Sequence, residues 1–295
     1  MYHRFGETKY PSTNITEEQL DSHLNFLIEQ NYRFIQASNF LDPSQLNEKT
    51  ITVTIDDAYL SFYEVGLPIF EKYQVPVTLF LNTENVGGFN YMSWDQLRDA
   101  LNRGVEIQNH SHTHSSFATL DDETIISEIE TSQSLILANL NITPNLFAFP
   151  FGESSDAAQK IIETYFDAAF GQHSGAFSMN YRYYIPRYPL NENYGSIDRL
   201  RDISKSLPFQ SAQLQPSNPT LNPPSTRFVL DIKAGVNGVN CFISDFQGSI
   251  EKQMTVLENK LLIELSRMPV SGRLRFNCTK VDNDIFWYGH QYFLN

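Results

Sequence analysis

Up to about residue 205 the chain alternates short β-prone runs with stretches of helical period, and few architectures accept that order. The run at residues 50–55 (TITVTI) is β-branched throughout and reads as a buried parallel strand. Further strands are expected at residues 1–4, 33–36, 75–81, 105–108, 146–149, 168–170 and 183–187. Helices are expected between them. Thr16 to Gln19 (TEEQ) forms a capping box, and Leu20, His23, Leu24, Phe26 and Leu27 then recur at roughly helical spacing. Ser93 to Gln96 (SWDQ) is a second capping box, opening a helix that stops near Gly104. Helical patterns also cover residues 60–73, 121–140 and 155–164. Strands interleaved with helices imply an α/β fold, a parallel sheet closed or nearly closed into a barrel.

The pattern then changes. Five prolines (Pro208, Pro216, Pro219, Pro223 and Pro224) fall among Ser, Gln and Asn, and residues 206–226 read as a stiff linker or strap. Beyond it, Leu274, Phe276 and Cys278 alternate with Arg273, Arg275 and Asn277, the period of a half-buried strand. The expected organisation is a (β/α) barrel over 1–205, the Pro-rich linker 206–226, and an all-β, sandwich-like accessory module over 227–295. A hydrophobic content of 41% against 19% charged residues supports packed cores. The net charge of 21 − 34 = −13 disfavours nucleic acid and anionic membrane as partners, since both require a basic surface. No apolar run is long enough to insert into a bilayer. Two cysteines exclude a disulfide framework, and Cys241 and Cys278 are either one disulfide or two buried thiols. The first residues lack the basic start and apolar centre of an export signal and read as the middle of a strand. A signal removed upstream is therefore expected.

The residues that carry chemistry sit at strand ends. Asp56 and Asp57 follow the TITVTI strand, His110 and His114 (in NHSHTH) follow 105–108, Pro150-Phe151-Gly152 follows 146–149, and His3 ends the first strand. In a parallel barrel all these ends lie on one face, where active sites are built. Two histidines four apart face the same way if the loop turns once like a helix. With one carboxylate they make a His₂Asp set, zinc-like, with a position left for water. Metal there would lower the pKa of a coordinated water and polarise a carbonyl. Successive aspartates on an extended strand diverge, so one can bind metal while the other takes a proton. A leaving amine needs a proton in return, and His3 on the same face can give it. The set reads as a hydrolytic site for an amide or ester.

These segments resemble the motifs of the polysaccharide deacetylases (NodB homology, carbohydrate esterase family 4). TIDDA resembles TFDDG, HSHTH resembles H-[ST]-x-x-H, and FAFPFG resembles the third motif, in the right order over about residues 1–205. The resemblance implies a distorted (β/α) barrel of about seven strands. It implies that Asp56 is the base, that Asp57, His110 and His114 hold the metal, and that the Phe151 main-chain N–H helps bind the oxyanion. MYHRF resembles the YH segment of the circularly permuted branch, which includes poly-N-acetylglucosamine deacetylases, and that makes His3 the acid. Two departures stand out. Ala58 replaces the usual Gly, and Ala148 stands where many members carry an Arg that contacts the base. Arg187, in IPRYP, is the candidate replacement that orients Asp56. The ion implied is Zn²⁺, with Co²⁺, Ni²⁺ or Mn²⁺ able to use the same ligands. The implied activity is metal-dependent hydrolysis of N-acetyl groups on a glycan containing N-acetylglucosamine, releasing acetate in the periplasm or outside the cell. The alternatives are O-acetyl ester or other C–N amide hydrolysis at the same site, or a catalytically silent glycan-binding protein.

Other polar and aromatic residues have plainer readings. His112 is expected to point away from the metal, His23 to pack within its helix or lie at its surface, and His173 and His290 to be structural or surface residues. Phe286, Trp287, Tyr288, Tyr292 and Phe293 read as sandwich core and packing against the barrel rather than as a sugar platform.

Overall fold

The computed structural model describes residues 1–47 and 49–295. Six parallel strands form one curled sheet in the order Arg33–Ile35, Thr50–Asp56, Val77–Leu81, Glu106–Asn109, Leu146–Ala148 and Ala168–Phe170. Two further segments lean on it through single bridges, Tyr2 to Ile55 and Ile185 to Phe170. The fold is the curled (β/α) half-barrel that the alternation demands. The expected strand at 183–187 is reduced to that single bridge at Ile185. Local sequence explains most helix boundaries. Thr16 and Ser93 close reciprocal capping boxes with Gln19 and Gln96 at the starts of helices Glu17–Glu29 and Trp94–Asn102. Asp121 caps the long helix Asp122–Leu140, which ends at Asn141 in a left-handed conformation. Around 60–73 a π-type turn, Phe62–Gly66, runs into helix Leu67–Lys72 with a proline in its first turn, where no N–H is needed.

The barrel is filled by side chains from both layers. Leu20, Leu24, Ile55, Phe62, Phe70 and Leu79 make one fully buried cluster, while Phe117, Ile129, Phe147, Phe149 and Ile162 make another under the long helix. Burying each such side chain contributes about 2 kcal/mol. This packing sets the strand ends, and with them the site, in a fixed frame.

Two antiparallel-rich sheets follow, facing each other over a core that includes Phe228, Leu230, Ile263, Leu274, Phe276 and Tyr292. The proline-rich 206–226 stretch is woven into them. Ser206–Leu207 and Thr220–Leu221 pair with the last strand, Ile285–Leu294, and Ala212–Gln215 pairs with Arg227–Ile232. Ala212 and Leu214 are buried while Gln213 and Gln215 are exposed, a period-two pattern that the surrounding prolines obscure in sequence. Cys241 and Cys278 sit directly opposite on neighbouring strands and form a disulfide. Tyr288 and Tyr292 are buried in this core, and Trp287 packs edge-on against Tyr188 of the barrel. Among the described residues no helix is long and apolar enough to cross a membrane.

Candidate active site

Each predicted site residue lies at the C-terminal rim of the curled sheet: Asp56 and Asp57 stand at the end of strand Thr50–Asp56, His110 and His114 follow Glu106–Asn109, Phe151 follows Leu146–Ala148, and His3 and Arg187 sit just past the bridges at Tyr2 and Ile185. Asp56 closes strand Thr50–Asp56, and the chain then breaks out of the extended conformation, with φ of 76° at Asp57 and 56° at Ala58. That break lets the adjacent carboxylates serve different neighbours. Asp57 Oδ1 lies 3.1 Å from His114 Nε2 and 3.4 Å from His110 Nε2. One ligand atom from each of Asp57, His110 and His114 lies within 4.8 Å of the others, a spacing that suits a single divalent ion.

The histidine loop is not the single helical turn expected from the i, i+4 spacing. Ser111 and His114 have φ of 70° and 60°, and the loop is shaped by buried acceptors. Glu128, reaching from the long helix, accepts from the main-chain N–H groups of His112 and Thr113 and from the Thr113 hydroxyl. Asn109 Oδ1 accepts from Ser111 N at 2.8 Å. These bonds turn both imidazoles inward without a helix, their centroids 5.0 Å apart.

The chemistry of the cluster fits a metal. His110 Nδ1 lies 2.7 Å from the Ala148 carbonyl oxygen, which can only accept, so Nδ1 carries the proton and Nε2 presents its lone pair to Asp57 and His114. That Nε2 is fully buried and has no hydrogen-bond partner. An orphaned imidazole nitrogen beside a buried carboxylate is costly unless a cation sits between them.

Asp56 faces elsewhere. Arg187 grips it with a two-pronged contact, Nη1 to Oδ1 at 2.7 Å and Nη2 to Oδ2 at 2.8 Å. The guanidinium is itself fixed by the Gly171 carbonyl at 2.8 Å and lies near the faces of Phe80 and Phe170. His3 Nε2 is 3.9 Å from Asp56 Oδ2, and its side chain keeps 14% exposure. Phe151 sits in a left-handed conformation with φ of 59°, its ring edge-on to His114 at 4.5 Å. All seven predicted residues, Asp56, Asp57, His110, His114, His3, Phe151 and Arg187, are therefore gathered on one rim.

Burial pushes the Asp56 carboxyl up, but Arg187, then His110 and His3, outweigh it and leave its pKa at about 2. Burial acts the same way on Asp57, and the imidazoles of His110 and His114 beside it hold it well below the usual range. His110 is pushed down by burial, yet the neighbouring aspartates leave it raised. His3 is lowered by burial, which the two aspartates only partly oppose. Both carboxylates are thus ionised at neutral pH.

Some contributors carry no sequence signal of their own. Gln172, just past strand Ala168–Phe170, reaches both His3 Nε2 and Asp56 Oδ2 at 3.4 Å. Its place after a strand end is the only hint. Glu128 is one acid among several on an amphipathic helix. The remaining histidines serve structure: His112 Nδ1 meets Thr83 Oγ1, His23 bridges Tyr2 and the Gly195 carbonyl, and His173 and His290 lie where barrel and sandwich meet.

Known proteins resemble this chain. The polysaccharide deacetylase family model matches residues 44–165. YxkH of Bacillus subtilis is 22% identical over 167 residues, which span 55% of this chain and 59% of that protein. The chain thus spans less than two thirds of that relative's length. A poly-β-1,6-N-acetyl-D-glucosamine N-deacetylase of Staphylococcus aureus is 23% identical over 199 residues, 61% of this chain and 69% of that one. Among solved structures, the Streptococcus pyogenes deacetylase PplD in complex with acetate superposes with a TM-score of 0.64 at 20% identity, covering 69% of this chain and 96% of that one. IcaB from Ammonifex degensii superposes with a TM-score of 0.58 at 19% identity, covering 69% and 93%. The likeness to these solved structures is one of fold. Residues 44–165, which hold the three motifs in order, match the polysaccharide deacetylase family, and the fold around them is shared with these solved structures.

Proposed function

We propose that the protein is a metal-dependent hydrolase that removes N-acetyl groups from sugars of a glycan containing N-acetylglucosamine, releasing acetate. The observation that carries this reading is the pairing of an Arg-held carboxylate, Asp56, with the adjacent Asp57, His110 and His114 cluster. A binding module has no use for an ionised base beside three convergent ligands. Asp57, His110 and His114 would hold the ion, zinc first by donor type, with cobalt, nickel or manganese able to replace it. A divalent ion there supplies Lewis acidity, activating water and polarising the acetyl carbonyl. Asp56, kept ionised by Arg187, accepts the proton from the attacking water. The Phe151 main-chain N–H donates to the oxygen that gains charge. His3 delivers a proton to the departing amine, and its lowered pKa makes it the stronger acid when protonated. The named activity of the S. aureus relative supports the choice of an N-acetylated glucosamine polymer.

In this reading residues 1–205 carry the chemistry, and 227–295, with the 206–226 segment, form the accessory β-module. The Cys241–Cys278 disulfide suits an oxidising compartment, so we place the protein in the periplasm or outside the cell.

The test is acetate release from N-acetylglucosamine oligomers by zinc-loaded protein, beside elemental analysis. Asp56→Asn is expected to cost at least about 10²-fold in kcat while retaining zinc. Asp57→Ala is expected to lose both zinc and activity. Full activity in either variant refutes these roles. Turnover confined to O-acetylated or other amide substrates moves the reading to those bonds, and glycan binding without metal or turnover replaces it.

A further inference from the structure

The last strand reaches back to the turn that follows the third motif. Gln291 is 1% exposed. Its Nε2 donates to the carbonyl oxygens of Phe151 at 3.3 Å and Gly152 at 3.0 Å, while its Oε1 accepts from Arg275 Nε at 3.1 Å. The two ends of the amide have opposite partners. Turning it over would set an oxygen against two carbonyls and an N–H group against a guanidinium, so its orientation is fixed. The same turn is held by its other neighbours. Tyr184 Oη donates to the Gly152 carbonyl at 2.6 Å, Arg273 Nε lies 3.5 Å from Glu153 Oε1, and Thr220 Oγ1 donates to the Ser154 carbonyl at 3.2 Å.

What needs holding is Phe151. Its φ of 59° is unfavourable for a residue with a side chain and persists only where the surroundings enforce it. The direction of its N–H depends on the rotation of the chain at this residue. Fixing the two carbonyls that follow fixes that rotation. Gln291 and Arg275 lie on neighbouring strands of the sandwich, so the force comes from outside the barrel.

We propose that Gln291, oriented by Arg275, is a positioning residue for the deacetylation, holding the 150–152 turn so that the Phe151 N–H is aimed at the reacting carbonyl. This inference rests on the reading of Phe151 as the oxyanion donor. It makes the C-terminal sandwich part of the scaffold of the active site, with its last strand bracing the catalytic rim from behind.

Two variants separate this role from a general loss of structure. Gln291→Glu keeps the volume and the acceptor for Arg275 and replaces only the N–H donor. Gln291→Met keeps approximate volume and removes both ends. For N-acetylglucosamine oligomers, kcat per zinc-loaded molecule is expected to fall between about 10- and 100-fold in both variants. KM and zinc content should stay within about twofold of the parent. Unchanged kcat per zinc-loaded molecule in both variants overturns the proposal. Should the parent protein release no acetate at all, the deacetylase reading fails first, and hydrogen exchange of the Phe151 and Gly152 amides decides the positioning role. Faster exchange in Gln291→Glu supports it, and parental exchange in that variant overturns it.

Discussion

At the scale of single residues, the decisive contact is the fork between Arg187 and Asp56. A carboxylate with no exposed surface remains charged chiefly because a planar guanidinium meets both its oxygens. Removing that partner leaves burial unopposed by its largest counterweight. In Arg187→Met the Asp56 pKa should therefore rise from about 2, by about one to three units. The sign follows directly. As the proposed base, Asp56 must be ionised to act, so the acid limb of kcat/KM moves to higher pH, and a pH–rate profile reads the shift. Arg187→Lys keeps the charge but loses the fork, and should fall between parent and Met. An acid limb that stays in place would show that Arg187 does not set the charge of Asp56. Much of this was legible in the sequence, because ligand-type residues at strand ends of a parallel sheet must share a rim. Arg187 was legible as the cation of IPRYP that compensates for Ala148. Gln172 and Gln291 were not, since an amide acts here only through neighbours that packing supplies.

At the scale of elements, the short turn Pro150–Gly152 shows how a local conformation is imposed by close approach. Gly152 has φ of 66°, and a Cβ there would overlap the backbone nitrogen of Gln172. Both constraints exclude a side chain: the first penalises the left-handed conformation, and the second leaves no room for a methyl group. Gly152→Ala should cost roughly 2–4 kcal/mol in chemical denaturation. Because Gln172 also touches His3 and Asp56, activity should drop as well. An unchanged midpoint would mean that the turn relaxes freely. Elements with strong periodicity and caps, such as Glu17–Glu29 and Asp122–Leu140, could be read from sequence because their signals are local. Helix Ile197–Ser204, opened by a Ser196 cap, went unread because it is short and lies among irregular segments. The strands within 206–226 were masked by proline. Those residues pair at sheet margins, where a missing N–H costs little.

At the scale of the whole molecule, the question is whether barrel and sandwich behave as two bodies or one. Composition suggested an appendage behind a linker, and beyond the aromatic run at 286–293 the seam left little trace in sequence because it joins residues about 80 to 140 positions apart. Yet the seam is close. Trp287 packs on Tyr188 with ring centroids 5.2 Å apart, Ser206–Leu207 adds to the last strand, and Gln291 bonds into the barrel turn. Gly289 marks the tightest point, since a Cβ at that position would overlap the carbonyl oxygen of Ser174. Packed this tightly, the two cores should melt together, and calorimetry of the parent protein should show one cooperative transition. Gly289→Ala must push the last strand away from the barrel, at a cost of about 1–3 kcal/mol or more. The single transition should then split, with the sandwich and barrel unfolding separately. Gln291 sits two residues along the same strand, on the same face, so it would be drawn back from the Phe151 turn. Loss of kcat should therefore accompany the split even at temperatures where both parts remain folded. If Gly289→Ala melts in one transition at the parental temperature with parental kcat, the seam is soft, and the sandwich only rests against a self-sufficient barrel.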